Sequence, residues 1–136
     1  MQNKKRPFEA TAWESIGWDD GQIALRANYK NGKLNGLRET WYDNGQLWEC
    51  EMYKNGKLNG LREFWYENGQ LESRGLYKDD KLNGLCEYWY VNGKPEVKET
   101  YKDGKLNGLY ETWNENGQLQ ESTMYKDGKP EGLYIE

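Results

Sequence analysis

The sequence predicts an all-β fold, a single-layer antiparallel meander sheet of tandem 24-residue β-hairpin repeats, solenoid-like in construction. Three observations carry that prediction: a strict 24-residue period, two turn signals within each period, and aromatic, proline-free stretches between the turns.

The period is read directly from the aromatic and glycine positions. Tyr29, Tyr53, Tyr77, Tyr101 and Tyr125 fall at a constant step of 24, as do Trp41, Trp65, Trp89 and Trp113. Gly36, Gly60, Gly84, Gly108 and Gly132 keep the same step. Self-similarity at a fixed period of this length is the signature of a repeat architecture. Four full units, 29–52, 53–76, 77–100 and 101–124, align without insertion. A degenerate half unit, 15–28, precedes them, because Trp18-Asp-Asp-Gly-Gln-Ile23 matches Tyr42-Asp-Asn-Gly-Gln-Leu47. A terminal half unit, 125–136, follows. Residues 1–14 are read as an N-terminal cap segment outside the repeat domain of 15–136.

Each unit holds two turns. The first is Asn-Gly or Asp-Gly, ending on Gly32, Gly56, Gly104 and Gly128. The second is Asn-Gly, ending on Gly45, Gly69, Gly93 and Gly117. Both dipeptides tolerate the positive φ that two-residue hairpin turns require. Between them lie strand-forming stretches such as Leu61-Arg-Glu-Phe-Trp-Tyr66. Glycine recurs too often for a helix of three turns.

The turns are spaced unevenly: 13 residues from Asn31 to Asn44, then 11 from Asn44 to Asn55. Either the sheet shears by two residues per repeat or two residues are absorbed locally; absorption is the favoured reading, with Leu58-Asn59-Gly60 and its equivalents as the place for a bulge or widened loop. A two-residue turn at Asn44-Gly45 sets Tyr42 opposite Leu47, Trp41 opposite Trp48 and Glu39 opposite Cys50. Strand alternation then places Leu37, Glu39, Trp41, Trp48, Cys50 and Met52 on one face, with Thr40, Tyr42 and Leu47 on the other. Equivalent positions form rows along the array, of Trp41, Trp65, Trp89 and Trp113 and of Glu39, Glu63, Glu87 and Glu111. The end strands need apolar caps, for which Phe8–Trp18 and Leu133-Tyr-Ile135 are the candidates.

Composition supports this reading. The chain is 31% charged with a mean hydropathy of −1.20, too polar for a conventional two-layer core. Seven Trp, eleven Tyr and two Phe distinguish it from a disordered chain, which would be poor in aromatics. A net charge of −4 offers no general attraction to nucleic acid or anionic lipid, so neither is an expected partner. Cys50 and Cys86 share no motif and, as two unpaired thiols, fit a reducing compartment, with a disulfide as the lesser alternative. With no export signal and no apolar span, the expected location is cytoplasmic.

Chemistry is sparse. The sequence has no histidine, the usual general base and commonest metal ligand, and no phosphate-binding glycine loop. No catalytic, cofactor-binding or metal-binding residue is assigned, and enzyme activity is not expected. The recurring glutamates are read as structural, since an active site is a single unlike constellation. The Trp and Tyr rows either hold a thin sheet together or offer a platform for a ligand such as a sugar or a quaternary ammonium group.

The motif Y-K-[ND]-G-K-x-x-G-x-x-x-x-W-Y-x-N-G-x-L resembles the MORN-repeat variant of bacterial proteins over residues 15–136. The resemblance implies a sheet of consecutive hairpins with no shared catalytic residues, and a role of antitoxin or immunity type. The Trp-Tyr hairpins also have some similarity to choline- and glucan-binding cell-wall modules.

The function expected is thus a non-catalytic protein-binding module, an antitoxin, immunity-like or phage-encoded inhibitor that occludes a partner protein. Small-ligand, glycan or choline binding is the alternative, and self-association through sheet edges a further one. The strand after the second turn varies most between units, either to shape a binding surface or by drift on a solvent face. The candidate partner-binding residues are Trp41, Trp48, Met52, Trp65, Glu72, Arg74, Trp89 and Trp113. Trp48 is the only aromatic at its place in the repeat, and is expected to join Trp41 in a hot spot.

Overall fold

The structure, a computed structural model, describes residues 11–17 and 23–134. They form one open antiparallel sheet whose strands follow each other in chain order. The strands are β1 (Thr11–Gly17), β2 (Ile23–Lys30), β3 (Lys33–Trp41), β4 (Leu47–Lys54), β5 (Lys57–Trp65) and β6 (Leu71–Lys78). They continue as β7 (Lys81–Trp89), β8 (Pro95–Lys102), β9 (Lys105–Leu106), β10 (Gly108–Trp113), β11 (Leu119–Lys126) and β12 (Lys129–Tyr134). The short β9 and the longer β10 are one strand interrupted at Asn107, and both pair with β8. No helix is present among the described residues, so none is long and apolar enough to cross a membrane. The all-β meander predicted from the period is the observed fold.

β1 begins at Thr11, ahead of the half unit counted from position 15. Residues 1–10, 18–22 and 135–136 lie outside the described residues, and with them Phe8 and Trp18 of the first expected apolar cap and Ile135 of the second.

The first turn is of the expected kind. Asn31 and Gly32 both have positive φ, 52° and 79°, and Lys30 pairs with Lys33 across them. Asp79-Asp80 makes the same turn with no glycine, Asp80 holding a φ of 70°. Aspartate is among the few residues that accept that conformation at modest cost. Successive turns are tied together, since Gly56 N–H donates to the Leu34 carbonyl at 2.8 Å and Asn55 N–H to Asn35 Oδ1 at 3.0 Å.

The second turn is one residue longer than expected. Gly45 N–H donates to the Tyr42 carbonyl at 3.0 Å, and Tyr42 N–H to the Gln46 carbonyl at 2.8 Å. In this loop Gly45 has a φ of 88°, while Asn44 is not among the residues of positive φ. This is a three-residue loop, a type I turn closed by a glycine bulge. Trp41 therefore pairs with Leu47 rather than Trp48, and the expected register holds from Thr40–Glu49 and Glu39–Cys50 onward.

The two surplus residues per repeat are absorbed where the uneven spacing placed them. Glu51 pairs with Arg62 and Tyr53 with Leu58, so Asn59, Gly60 and Leu61 stand opposite Met52 alone. Gly60 has a φ of 122°, and a Cβ there would come within 3.3 Å of the Met52 side chain. The glycine thus bends the strand and lets Met52 lie across it.

Burial is concentrated in one row on one face. Cross-strand partners share a face, so Ala27, Arg38, Glu51, Arg62, Gly75, Cys86 and Glu99 form a continuous line through the sheet. Ala27, Glu51, Gly75 and Cys86 in that row are buried, as is Thr123 near its far end. This row is what the single layer has for a core, and it contains ion pairs as well as apolar groups.

Candidate functional site

The two faces of the sheet differ in chemistry. The face with the buried row carries a compact charge cluster. Glu51, only 3% exposed, lies between Arg38 and Arg62: Arg38 NH1 donates to it at 3.2 Å, and Arg62 Nε is 2.8 Å away, off the line that a hydrogen bond needs. Glu49 sits within 3.6 Å of Arg38 and 3.7 Å of Arg62. Burial pushes the Glu49 carboxyl above the usual carboxylate range, and the neighbouring Glu51 adds to the rise while the arginines oppose it. The Tyr53 hydroxyl donates to Glu51 at 3.1 Å. Every charge has an opposite neighbour, which suits a structural knot.

Beside that cluster, Ser73 and Gly75 stand where neighbouring units carry larger side chains. They leave a hollow of about 160 Å³ bounded by Arg62, Phe64, Tyr77, Cys86 and Tyr88. Ligand pockets for small molecules run to roughly 300–1,000 Å³, so this hollow fits a single side chain at most. Burial raises the Cys86 thiol, which keeps it in the neutral, unreactive form.

The opposite face, called the first face here, holds three parallel rows. Its outer row is apolar and exposed. Leu37 pairs with Met52, Leu61 with Leu76 and Leu109 with Met124, while Leu85 faces Thr100. The seven large apolar residues of this row are 37–42% exposed.

The middle row is charged. Arg26, Glu39, Cys50, Glu63 and Arg74 follow each other across the strands, and Glu87, Lys98 and Glu111 continue the line. The inner row contains the tryptophans. Arg26 lies over Trp41 and Arg74 over Trp89, each 5.6 Å from the ring centroid, and Lys98 lies over Trp113 at 5.9 Å. The expected tryptophan row is present, but three of its four rings, those of Trp41, Trp89 and Trp113, are covered by cations and not stacked on one another.

The remaining candidates fall elsewhere. Trp48 is displaced from Trp41 by the longer turn; it meets Tyr42 instead, with ring centroids 5.7 Å apart, and is 44% exposed. Glu72, at the equivalent place one unit on, lies close enough to raise the Tyr42 and Tyr66 hydroxyls, behind the larger effect of burial. Met52 belongs to the apolar row and Arg74 to the charged one.

The overall charge of −4 concealed one feature. Each first turn is bracketed by paired lysines, Lys30–Lys33, Lys54–Lys57, Lys78–Lys81, Lys102–Lys105 and Lys126–Lys129. One edge of the sheet thus gathers ten lysines against Asp79, Asp80, Asp103 and Asp127. The Lys-x-Gly-Lys step was visible in the repeat; summing charge over the chain hid it.

No group of three or more cysteine, aspartate and glutamate side chains is placed to hold a metal ion among the described residues. No curated protein matches the chain. Four segments, 34–55, 58–79, 82–103 and 106–127, match the MORN repeat variant pattern, one to each full period and together covering more than half of the sequence. With its open sheet of 24-residue hairpins, the chain belongs to the MORN repeat variant family.

Proposed function

We propose that this repeat module binds a partner protein through the first face of its sheet. The observation that carries the reading is the exposed apolar row. Seven large apolar side chains in line on one face are more than the scattered exposure of an ordinary surface, and such patches mark interaction sites. The charged row beside it supplies orientation and steering for a partner of complementary charge. Binding would act by occlusion, the mechanism an inhibitor, antitoxin or immunity protein uses.

The cations over Trp41, Trp89 and Trp113 favour this reading over a sugar or choline platform, which needs bare aromatic faces. The test is affinity capture from the native host with the wild-type chain and a Leu61→Lys, Leu85→Lys variant. A stoichiometric partner that is retained by the wild type and by Val91→Lys, but lost with the double variant, supports the proposal. Capture unaffected by the double variant, or tryptophan fluorescence that responds to saccharides or choline and to no protein, overturns it.

A further inference from the structure

The charged row on the first face follows a rule that one unit breaks. A cation stands 15 positions ahead of the tryptophan it covers: Arg26 for Trp41, Arg74 for Trp89 and Lys98 for Trp113. The same cations pair with the glutamates beside them. Arg26 is 3.2 Å from Glu39, Arg74 lies 3.7 Å from Glu63 and 3.5 Å from Glu87, and Lys98 lies 3.9 Å from Glu87. In each case the sheet register sets the cation directly opposite a glutamate and within reach of the ring.

For Trp65 the rule points to position 50, which is occupied by Cys50. Its strand partners are Glu39 on one side and Glu63 on the other. Cys50 is half-buried and reduced, and burial with the surrounding glutamates holds its thiol in the neutral form. Among the described residues no cation lies over Trp65. Two carboxylates, each paired on its far side with Arg26 or Arg74, therefore flank a position that three sister units fill with positive charge, and Trp65 lies two residues along from Glu63 on the same face.

We infer that the notch formed by Glu39, Glu63 and Trp65 receives an arginine side chain from the partner protein, in the place where the other units use a cation of their own. Arginine fits better than lysine, because its planar guanidinium stacks on an aromatic ring while its fork reaches carboxylates on either side. The flanks define the rest of the partner's surface. Met52 and Leu61 lie two residues along from Cys50 and Glu63 on the same face, and both are exposed. The matching segment is an arginine next to an apolar side chain. This inference rests on the reading of the first face as a protein-binding surface.

The test uses the full chain, labelled with ¹⁵N, and the probe N-acetyl-leucyl-arginine amide with its uncharged citrulline counterpart. The indole N–H signal of Trp65, assigned by its loss in Trp65→Phe, should move saturably with the arginine probe and at least tenfold less with citrulline. Cys50→Arg fills the notch from within, so it should abolish the shift and raise the melting temperature, whereas Cys50→Ser should preserve the shift. If Cys50→Arg does not fold, Glu39→Gln with Glu63→Gln takes its place with the same loss expected. Equal response to citrulline, or an undiminished response in the filled variant, overturns the notch. Capture of a protein partner equally by wild type and Cys50→Arg, with loss in the Leu61→Lys, Leu85→Lys variant, would sink the notch while leaving the first-face reading intact.

Discussion

The hydroxyl of Tyr66 donates a 2.6 Å hydrogen bond to the backbone carbonyl of Trp89, in the next repeat. Tyr42 makes the same bond to Trp65 and Tyr90 to Trp113, both at 2.7 Å. The rung joins the second turn of one unit to the strand end of the next, so it belongs to the interface between repeats. In the fourth unit Asn114 replaces the tyrosine and turns back on its own loop, its Oδ1 accepting from Asn116 N–H at 2.9 Å and Gln118 N–H at 3.0 Å. In a one-dimensional array such nearest-neighbour bonds set stability, because each repeat rests only on those beside it.

Removing a rung should therefore loosen a whole interface. Tyr66→Phe deletes the donor and leaves the Trp89 carbonyl without its partner, a loss of about 1–2 kcal/mol. The expected fall in melting temperature is about 5 °C for a domain of this size. Asn114→Ala, which disturbs only its own loop, should cost less than Tyr66→Phe. Urea melts of the two variants compare them directly, and the reverse order would refute the interface role.

Glycine is demanded unequally along the repeat. Gly108 combines a φ of 130° with a virtual Cβ only 2.9 Å from the Thr100 Cβ, whereas Gly32 has a φ of 79° and open space around it. Gly32→Ala should cost about 1 kcal/mol, the usual penalty of the left-handed conformation. Gly108→Ala adds a steric clash in a backbone region closed to other residues, and should cost at least about 2 kcal/mol. Denaturation midpoints that rank them the other way would show that the bulge is not fixed as described.

Much of this was legible in the sequence, for reasons that also mark the limit. The period, the tight turn at Asn31-Gly32 and the absorption of two residues at Asn59-Gly60 follow from local backbone chemistry, and they recur at every 24th position. The turn at Asn44-Gly45 was sized wrongly because Asn-Gly serves a two-residue turn and a glycine bulge equally well. The difference depends on which strand atoms pair, and it moved Trp48 from Trp41 to Tyr42. The cations over the tryptophans were invisible for the same reason: Arg26 and Trp41 become neighbours only through register. The lysine edge was hidden by arithmetic on the whole chain.

The ion pairs of the two faces should differ in weight. Glu51→Ala leaves Arg38 and Arg62 with only the longer contacts to Glu49 and removes the acceptor of the Tyr53 hydroxyl in a nearly closed site. Breaking a buried ion-pair cluster costs about 3 kcal/mol, toward the lower end of the range because both arginines stay partly hydrated and keep Glu49 as a neighbour. Glu63→Ala touches only the more exposed pair with Arg74 and should cost below about 1 kcal/mol. Equal losses in thermal melts would mean that the Glu51 cluster is not a structural knot.

Alkaline pH should unfold the protein through its tyrosines. Burial, assisted by Glu51, pushes the Tyr53 hydroxyl up to about 12, and burial raises Tyr88 and Tyr101 as well. An unfolded tyrosine ionises near 10, so above that pH the unfolded state releases protons that the folded state keeps. The stabilising contribution is complete below pH 10 and is lost as pH rises from 10 toward 12. Urea midpoints should hold level from pH 8 to 9.5 and then fall, and Tyr53→Phe should make the fall shallower. A midpoint independent of pH up to 11 would contradict the burial of these hydroxyls.

The tryptophan row gives the sharpest comparison. A row stabilised by stacked rings would lose most from its middle, making Trp65→Ala more damaging than Trp113→Ala. The structure distributes the support differently, because Trp89 and Trp113 carry cations and Trp65 does not. Trp89, interior and covered by Arg74, should therefore be the costliest to replace. A double-mutant cycle separates ring contact from burial. Arg74→Met with Trp89→Leu should show a coupling of about 0.5–1 kcal/mol, the range for partly exposed cation–aromatic contacts. Cys50→Met with Trp65→Leu should show a coupling near zero. Equal coupling at the two sites would mean that the arginine contributes packing alone, and that Trp65 is as well covered as its neighbours.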